Sequence, residues 1–296
     1  MRHSRNLLVS GIFVVVLLAV LVTLGCGSIW ANGTNADKIV EEMLAARHAR
    51  KQIQYPTKMY GAFSIEKAYQ IQAELAEELS EELGPVVGYK VAYASKAAQE
   101  QFGVTEPAEG PLFGLQRVPS GSKLPAGHFV EIALETEVAF TIGKRIDRPI
   151  KDVAQLKGYV RWAHAAFDAG DYPLVQGDTK PTAADMIASG VGAHVFVLGP
   201  AVDPRDADVD AVTLKLIRNG EIVAESAATN VMGSPWNSLL WCANHVVKLG
   251  GTLEPGMVIS TGTASPAYKV KGDAIQGEYV GDCGPLGKVT MTLYHE

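Results

Sequence analysis

The spacing of apolar residues changes character near residue 84 of this 296-residue chain. Up to that point apolar residues recur every three or four positions, a period that predicts amphipathic helices. One helix is expected from about residue 35 to 52, and a second over 63–83, where Ser64 caps the start and Gly84 follows the end. The pattern therefore predicts a helical N-terminal arm over 37–84.

From residue 85 onward, short segments alternate apolar and polar residues between Gly, Pro and Asp turns, which predicts strands. The other predicted elements are helices over 152–155 and 237–249 and a hairpin of strands 214–219 and 221–227 around Asn219-Gly220. Helices followed by a strand-rich body are typical of an α+β fold. We expect residues 85–296 to form the main domain.

The most informative strand is predicted over residues 131–140, Glu-Ile-Ala-Leu-Glu-Thr-Glu-Val-Ala-Phe. Because side chains alternate between the faces of a strand, Glu135 and Glu137 point the same way, with Cα atoms about 7 Å apart. Two carboxylates on a half-buried strand repel each other, and a divalent cation that prefers hard oxygen ligands, such as Mg, Mn or Ca, relieves the repulsion. The alternative is a solvated outer face of an edge strand, where charged residues are common.

Two further charged residues lie within apolar segments. Lys90 shares a strand face with Gly88 and Ala92, and a lysine between two small neighbours has the space that a ligand-facing residue needs. Asp168 lies inside an apolar strand, where a carboxylate needs a partner. Taken singly, Lys90 suits a solvated surface and Asp168 suits a turn. Together with the two glutamates they predict an acid-lined site that contains one amine.

Composition limits the classes of partner. The chain is 47% hydrophobic and 20% charged, as globular proteins are, and its net charge of −6 without runs of Lys or Arg argues against a nucleic-acid partner. No Gly-x-Gly-x-x-Gly stands between a strand and a helix, and no Gly-x-Ser-x-Gly elbow is present. The sequence therefore argues against a nucleic-acid partner, a dinucleotide site and a serine-hydrolase nucleophile.

Cys242 and Cys283 are the cysteines beyond the N-terminal segment. Cys242 lies in a predicted apolar helix, so two buried free thiols are favoured, although in an exported protein the pair could form a disulfide. The absence of Cys-x-x-Cys and of a His-rich cluster from the sequence argues against zinc.

Residues 1–26 have the pattern of an export signal or an N-terminal membrane anchor. Two arginines and a histidine precede an almost wholly apolar run over 7–25, which is just long enough to span a bilayer. The run ends in Leu-Val-Thr-Leu-Gly-Cys26, which resembles a bacterial lipoprotein box and would make Cys26 the lipidated N-terminus. Lipoprotein, uncleaved anchor and plain secretion stay open, with 27–36 as a linker. The expected location is exported, either periplasmic or tethered to the membrane.

Seven short segments carry a resemblance to a known family: 88–104, 110–113, 135–137, 168–170, 185–199, 233–237 and 249–262. They include Gly-Tyr-Lys90-Val-Ala-Tyr, Gly-Pro-Leu-Phe113 and Gly-Ser-Pro-Trp-Asn237. The chain resembles the 2-keto-4-pentenoate hydratases (2-hydroxypenta-2,4-dienoate hydratases) of the fumarylacetoacetate hydrolase-like superfamily, over residues 37–294. The implied fold is a mixed β-roll/sandwich of the fumarylacetoacetate hydrolase C-terminal domain type.

The resemblance also implies the residues of a site. Glu135, Glu137 and Asp168 would bind Mg or Mn, and Lys90 would bind or polarise a 2-keto acid. The remaining candidates are Thr261 and Gly262 for substrate binding, and Glu109 and Ser189 for proton transfer. A homodimer or larger homo-oligomer is implied as well.

At four places the chain departs from the hydratase pattern. Ala108 stands where an Asp precedes the Gly-x-Leu-Phe stretch, and Ala133 replaces a basic residue. Asp185-Met-Ile-Ala-Ser189 replaces Asp-Asn-Ala-Ser, and Gly233-Ser-Pro replaces Gly-His-Pro. The metal ligands are thus kept while groups around them differ, which leaves the reaction open.

The predicted function is a metal-dependent hydro-lyase that hydrates 2-hydroxypenta-2,4-dienoate-type (2-keto-4-pentenoate) substrates to 4-hydroxy-2-keto acids. A metal at the site would stabilise the enolate-like charge that develops when the dienol ketonises. The same chemistry would serve a 2-keto acid decarboxylase or an acylpyruvate C–C hydrolase. A hypothesis from another class is an exported 2-keto acid binding protein without turnover.

Overall fold

The computed structural model describes residues 35–175 and 180–295, and residues 34–296 group into one compact unit. The helices are α1 (Asn35–Ala49), α2 (Pro56–Tyr60), α3 (Ile65–Leu83), α4 (Lys96–Phe102), α5 (Val153–Lys157), α6 (Ala183–Ala188) and α7 (Pro235–Lys248). The strands are β1 (Val86–Ala92), β2 (Ala108–Phe113), β3 (Arg117–Pro119), β4 (Ser122–Pro125), β5 (Ile132–Ile142), β6 (Val160–Asp171), β7 (Val195–Leu198), β8 (Thr213–Arg218), β9 (Glu221–Ala227), β10 (Val258–Ser260), β11 (Tyr268–Lys269), β12 (Gly277–Asp282) and β13 (Lys288–Tyr294).

The strands form two sheets. The larger has the order β2-β1-β10-β5-β6-β7-β3, with β11 paired to β5, and the smaller has the order β4-β13-β12-β8-β9. Strands β1 and β10 run parallel, whereas β5 is antiparallel to both β10 and β6. The mixed sheets and the leading helices confirm the predicted α+β class.

The main hydrophobic core lies between the two sheets. Val138 and Phe140 of β5 and Phe167 of β6 contribute from the larger sheet, and Tyr279 and Met291 contribute from the smaller one. Each of these side chains is at most 1% exposed. Because alternate residues of β5 fill this core, Glu135 and Glu137 are directed to the opposite face of the larger sheet.

The long elements follow the sequence pattern, whereas the short ones do not. Helix α3 begins as predicted, with the Ser64 hydroxyl accepting from the Lys67 amide at 3.2 Å. Hairpin β8–β9 turns at Asn219-Gly220, as expected. Helices α2, α4 and α6 span only five to seven residues, which is too short for a helical period to stand out.

Strand β1 departs from simple alternation at both ends. A register irregularity between Val86 and Gly88 shifts Val87 away from the face that Val91 occupies. At the other end Tyr93 has φ of 56° and packs with the helices rather than in the inter-sheet core. Alternation along the strand predicts Val87, Tyr89, Val91 and Tyr93 on the face opposite Lys90, but only Tyr89 and Val91 pack in the inter-sheet core.

Cys242 and Cys283 are both buried and free. No helix among the described residues is long and apolar enough to cross a bilayer. The leader predicted over residues 1–26, with its lipidated cysteine, and residues 27–34 of the predicted linker lie outside the described residues. The last two residues predicted as linker, Asn35 and Ala36, already belong to α1.

Asp185 connects the helical segment to the sheet-bearing body. Its carboxylate accepts from the backbone amide and the hydroxyl of Thr57, each at 2.7 Å, and from the same two groups of Thr182, also at 2.7 Å. Thr57 lies in α2, and Thr182 caps α6. A fully buried carboxylate is tolerated here because four donors replace its hydration.

Asp185→Ala should therefore lower the free energy of unfolding by about 3 kcal/mol, since it removes a buried carboxylate that accepts four hydrogen bonds from Thr57 and Thr182. Chemical denaturation measures this change. Asp208→Ala, which removes an exposed cap, is the control and should cost less than about 1 kcal/mol. Similar losses for the two variants would contradict the connecting role of Asp185.

Candidate active site

Pairing of β5 with β6 brings three carboxylates together. In the antiparallel register Glu135 lies opposite Asp168, and Glu137 lies opposite Ala166, so the three acidic side chains share one face. One carboxylate oxygen from each residue lies within 4.8 Å of the other two. Glu137 and Asp168 are 0% and 1% exposed. The sequence placed two of these residues on one strand face, and the strand register supplies the third.

The side chain of Lys90, on β1, points to the same face of the larger sheet. Strands β10 and β5 lie between β1 and β6, the strand that carries Asp168. Lys90 lies beside Ser260 of β10 in the parallel register, and Ser260 lies opposite Ala139 of β5. The Lys90 ammonium forms an ion pair with Asp168, and the lysine is 2% exposed. Three carboxylates against one ammonium leave two negative charges in a buried site when all four groups are ionised.

Backbone and hydroxyl donors hold one oxygen of Glu137. The Ser260 hydroxyl donates to Oε2 at 2.5 Å, and the Gly262 amide donates to the same oxygen at 2.9 Å. Among the described residues neither Oε1 of Glu137 nor Oδ1 of Asp168 has a hydrogen-bond partner. Buried carboxylate oxygens without donors are uncommon, and their presence side by side indicates a site for a cation.

The pKa values reflect the same shortage of positive charge. Burial, with the neighbouring Asp168 charge, raises the pKa of Glu137 to about 7, and burial raises the pKa of Glu135 well above its usual range. Burial is the largest single influence and lowers the pKa of Lys90, but the attractions of Asp168, Glu135 and Glu137, with that of Tyr172, together outweigh it, and the pKa of Lys90 is raised. The lysine is therefore charged, while the glutamates hold protons more tightly than usual.

The donor set fits a hard divalent cation. Three carboxylates with no histidine or cysteine among them are the ligands that Mg and Mn prefer, and the two excess negative charges equal the charge of one such ion. The oxygens without donors are those that such an ion would contact.

The surroundings of Lys90 are tight rather than open. A methyl group at Gly88 would lie 1.9 Å from the Val258 carbonyl oxygen. A methyl group at Gly110 would lie 2.3 Å from the Gly190 carbonyl oxygen. The small neighbours of Lys90 therefore allow backbone to pack closely, and the expectation of free space around its stem is wrong. Its ammonium still reaches the acidic site because the stem is enclosed and directed toward Asp168.

Glu109 lies on the other face of the sheet. It is the register partner of Val91, whose side chain faces the inter-sheet core, whereas Lys90 pairs with Gly110. Its Oε2 lies 3.1 Å from Nδ1 of His245 on α7. The geometry gives no support to proton transfer by Glu109 at the acidic site, because the sheet itself separates the two.

Thr261 and Gly262 lie beside the site but are engaged within the fold. The Thr261 hydroxyl donates to the Val138 carbonyl at 2.8 Å, and the Thr261 carbonyl accepts from Ser238 at 2.7 Å. Gly262 uses its amide on Glu137. Both residues thus orient the strand end and a carboxylate, and substrate binding by them stays a prediction.

Ser189 follows α6, and its hydroxyl donates to the Met186 carbonyl at 2.9 Å. It lines a cavity of ≈ 60 Å³ between the helices and β2. The next residue, Gly190, packs over Gly110, the register partner of Lys90. Ser189 therefore lies near the site without a contact to the carboxylates among the hydrogen bonds described, and its role in proton transfer stays a prediction.

Two residues of the site were missed by the sequence reasoning. Ser260 could have been found from the sequence, because it lies on a short strand only two residues before Gly262, which was already a candidate. Tyr172 follows the end of β6, and its ring lies 5.9 Å from the Lys90 ammonium. No periodic signal places Tyr172 there, because strand alternation ends before it.

Comparison with known proteins gives this site its context. The family described as fumarylacetoacetate (FAA) hydrolase C-terminal matches residues 85–293. A 2-keto-4-pentenoate hydratase of Paraburkholderia phymatum is 30% identical over 205 residues, which cover 69% of this chain and 76% of that protein. A 2-oxo-hept-4-ene-1,7-dioate hydratase of Escherichia coli is 28% identical over 258 residues, covering 85% of this chain and 95% of that protein.

The fold is shared with a solved structure. The 4-oxalocrotonate decarboxylase from Pseudomonas putida G7, complexed with magnesium and adipate, superposes with a TM-score of 0.81 at 21% identity. The match covers 88% of this chain and 97% of the decarboxylase. At this identity the likeness establishes the architecture, and it confirms the predicted fold type.

The predicted export or membrane attachment is wrong by these comparisons. The Escherichia coli hydratase is covered over 95% of its length, so it has almost no length left for a leader or an anchor. The expectation rested on the composition of residues 1–26 alone. Periplasmic location, lipidation at Cys26 and a membrane tether are not carried further.

The raised pKa values predict how stability depends on pH without metal. Between the ordinary Glu value of 4.5 and the value of about 7 for Glu137, the folded protein binds more protons than the unfolded chain. The free energy of unfolding of EDTA-treated protein should therefore fall as pH rises through this window. Glu137→Gln should flatten the fall, whereas the exposed Glu278→Gln should leave it intact. A stability that rises over the window would refute the electrostatic account.

Proposed function

We propose that this chain, which belongs to the fumarylacetoacetate (FAA) hydrolase C-terminal family, is a metal-dependent hydro-lyase of 2-keto-4-pentenoate type. It would hydrate 2-hydroxypenta-2,4-dienoate-type substrates to 4-hydroxy-2-keto acids. The observation that carries the proposal is the buried group of Glu135, Glu137 and Asp168 with a single ammonium beside it. Such a site is costly without a cation.

The three acidic residues are the proposed ligands of Mg or Mn. A bound divalent cation supplies Lewis-acid stabilisation of negative charge on the oxygens of a 2-keto acid. Ser260 and the Gly262 amide fix Oε2 of Glu137, which leaves its Oε1 directed to the site. These donors reduce the reorganisation that ligand binding requires.

Lys90 has two proposed roles. Its ion pair with Asp168 balances part of the buried negative charge before substrate arrives. Since an ammonium has three donors and one is directed to Asp168, the others can contact the carboxylate of a bound 2-keto acid. The raised pKa keeps these protons on Lys90, so it binds and orients the substrate rather than acting as a base.

Hydration needs a proton at C5 of the dienol and a water molecule at C4. Glu109 is not retained for the proton, because it lies on the other face of the sheet with His245. Ser189 stays a proposed proton-transfer residue on the strength of its position next to Gly190.

The choice of hydration over other reactions rests on sequence similarity. The relatives at 28% and 30% identity are hydratases, whereas the decarboxylase at 21% identity supports the fold alone. The predicted homodimer or larger homo-oligomer stays a prediction, which sedimentation of the purified protein would test.

Mg²⁺ should stabilise the protein against heat. Binding to the folded state alone raises the free energy of unfolding by about 2.7 kcal/mol at a hundred times Kd. Glu137→Gln removes a ligand charge at constant shape and should abolish most of this gain, while Glu278→Gln, an exposed change on β12, should retain it. Equal stabilisation of all three proteins would remove the metal site from the proposal.

A product panel tests the reaction itself. With Mg²⁺ and freshly generated 2-hydroxypenta-2,4-dienoate, mass spectrometry should find a 4-hydroxy-2-keto acid that has gained one water. 4-Oxalocrotonate should not lose carbon dioxide, and an acylpyruvate should not be split into two acids. Decarboxylation or cleavage at higher kcat/KM than hydration would replace the proposed reaction, and tight binding of every compound without product would indicate a binding protein.

A further inference from the structure

Tyr172 follows β6, and its side chain turns back across the face that carries Asp168. A methyl group at Gly170 would lie 3.1 Å from the Tyr172 hydroxyl oxygen, so this hydroxyl lies directly over Gly170. Gly170 and Asp168 are two residues apart on one strand and therefore share a face. The phenol is thus placed beside the acidic group rather than out in solvent.

The ring is held from both sides. A methyl group at Gly192 would lie 2.6 Å from ring atom Cε1, and the Tyr172 amide donates to the Glu131 carbonyl at 3.1 Å. Gly192 has φ of 75°, which a glycine adopts without strain. Glycines at 170 and 192 therefore leave a slot for the ring, and the ring has little freedom to turn away.

The hydroxyl has an unusual environment. Among the residues that the structure describes, it has no hydrogen-bond partner, although Lys90, Glu135, Glu137 and Asp168 are all close enough to influence it electrostatically. The side chain is half-buried. A hydroxyl beside a charged site, with no hydrogen bond to another described residue, is available to a molecule bound there.

Burial and the surrounding carboxylates raise the pKa of Tyr172 far above its usual value. A protonated phenol can donate a hydrogen bond, and among the described groups close to the acidic triad the Tyr172 hydroxyl is a neutral donor with no other hydrogen bond.

We propose that Tyr172 is a catalytic residue that donates a hydrogen bond to the 2-oxygen of a bound 2-hydroxydienoate or 2-keto acid, the atom on which negative charge develops. This rests on the proposed function, since the charge in question is that of an enolate. Lys90 would contact the carboxylate of the same ligand, so the two donors would bind different ends of one planar 2-keto acid group. A prepositioned donor of this kind contributes chiefly to the transition state.

The competing explanation is that Tyr172 only fills space and places its ring against the Lys90 ammonium. Tyr172→Phe separates the two, because it keeps the ring and removes only the hydroxyl. Tyr279→Phe is the matched control, since it removes a phenol that donates to the Ala274 carbonyl in the core, remote from the acidic site.

The experiment measures kcat and KM for hydration, together with calorimetric binding of oxalate, a planar enolate mimic, to the Mg²⁺-loaded protein. Tyr172→Phe should lower kcat about a hundredfold, change KM less than threefold and weaken oxalate binding about tenfold. Its Mg²⁺-dependent thermal stabilisation should match that of the parent. Tyr279→Phe should leave kcat and oxalate binding unchanged.

An unchanged kcat, or an oxalate affinity equal to that of the parent, overturns the role of Tyr172. If the parent hydrates none of the dienoates, the proposed function fails while the oxalate measurement still decides the hydrogen bond. Loss of Mg²⁺ stabilisation in Tyr172→Phe would likewise overturn the proposal, because it would show that the phenol acts through the metal ligands.

Discussion

The burial of three carboxylates with one ammonium is the constraint on which the rest of this structure depends. Such a group is stable only if its members are held at fixed distances and compensated by charge. The antiparallel register of β5 and β6 fixes Glu135 opposite Asp168, and the order β1-β10-β5 fixes the approach of Lys90. A shift of one residue in either register would direct the charged side chains into the inter-sheet core, so the site and the fold specify each other.

Close approach of backbone segments completes the enclosure. The carbonyl of Val258 lies against Gly88, and that of Gly190 lies against Gly110, so β1 and its neighbours bury the stem of Lys90 without space for solvent. Burial in this low-dielectric setting raises the pKa of Glu137 to about 7, and the repulsion of Asp168 adds to the effect of burial. The glycines near Lys90 thus strengthen the charge interactions of the site because they let backbone segments pack closely around it. They do not make room for a ligand.

The sequence predicted what depends on local alternation and failed where tertiary register decides. The face shared by Glu135 and Glu137 follows from strand geometry alone. The face on which Glu109 lies cannot be predicted in this way, because it depends on whether Glu109 pairs with Val91 or with Lys90. A shift of one residue in the register would move Glu109 to the other face of the sheet. Tyr172 lies beyond the end of alternation, and its position is set by the glycine slot at 170 and 192. The location expected from residues 1–26 is contradicted by a relative whose matched length leaves almost no room for a leader.

The acidic group alone does not select a reaction. The same architecture carries the names hydratase and decarboxylase, so the fold and its buried charge are compatible with more than one outcome of enolate chemistry. Selection must then come from neutral groups that decide where a proton is delivered and whether water is admitted. Tyr172 is such a group, held by backbone contacts rather than by the charges it faces. Because Tyr172 is not a proposed metal ligand, specificity here can change without disturbing the charge balance of the site.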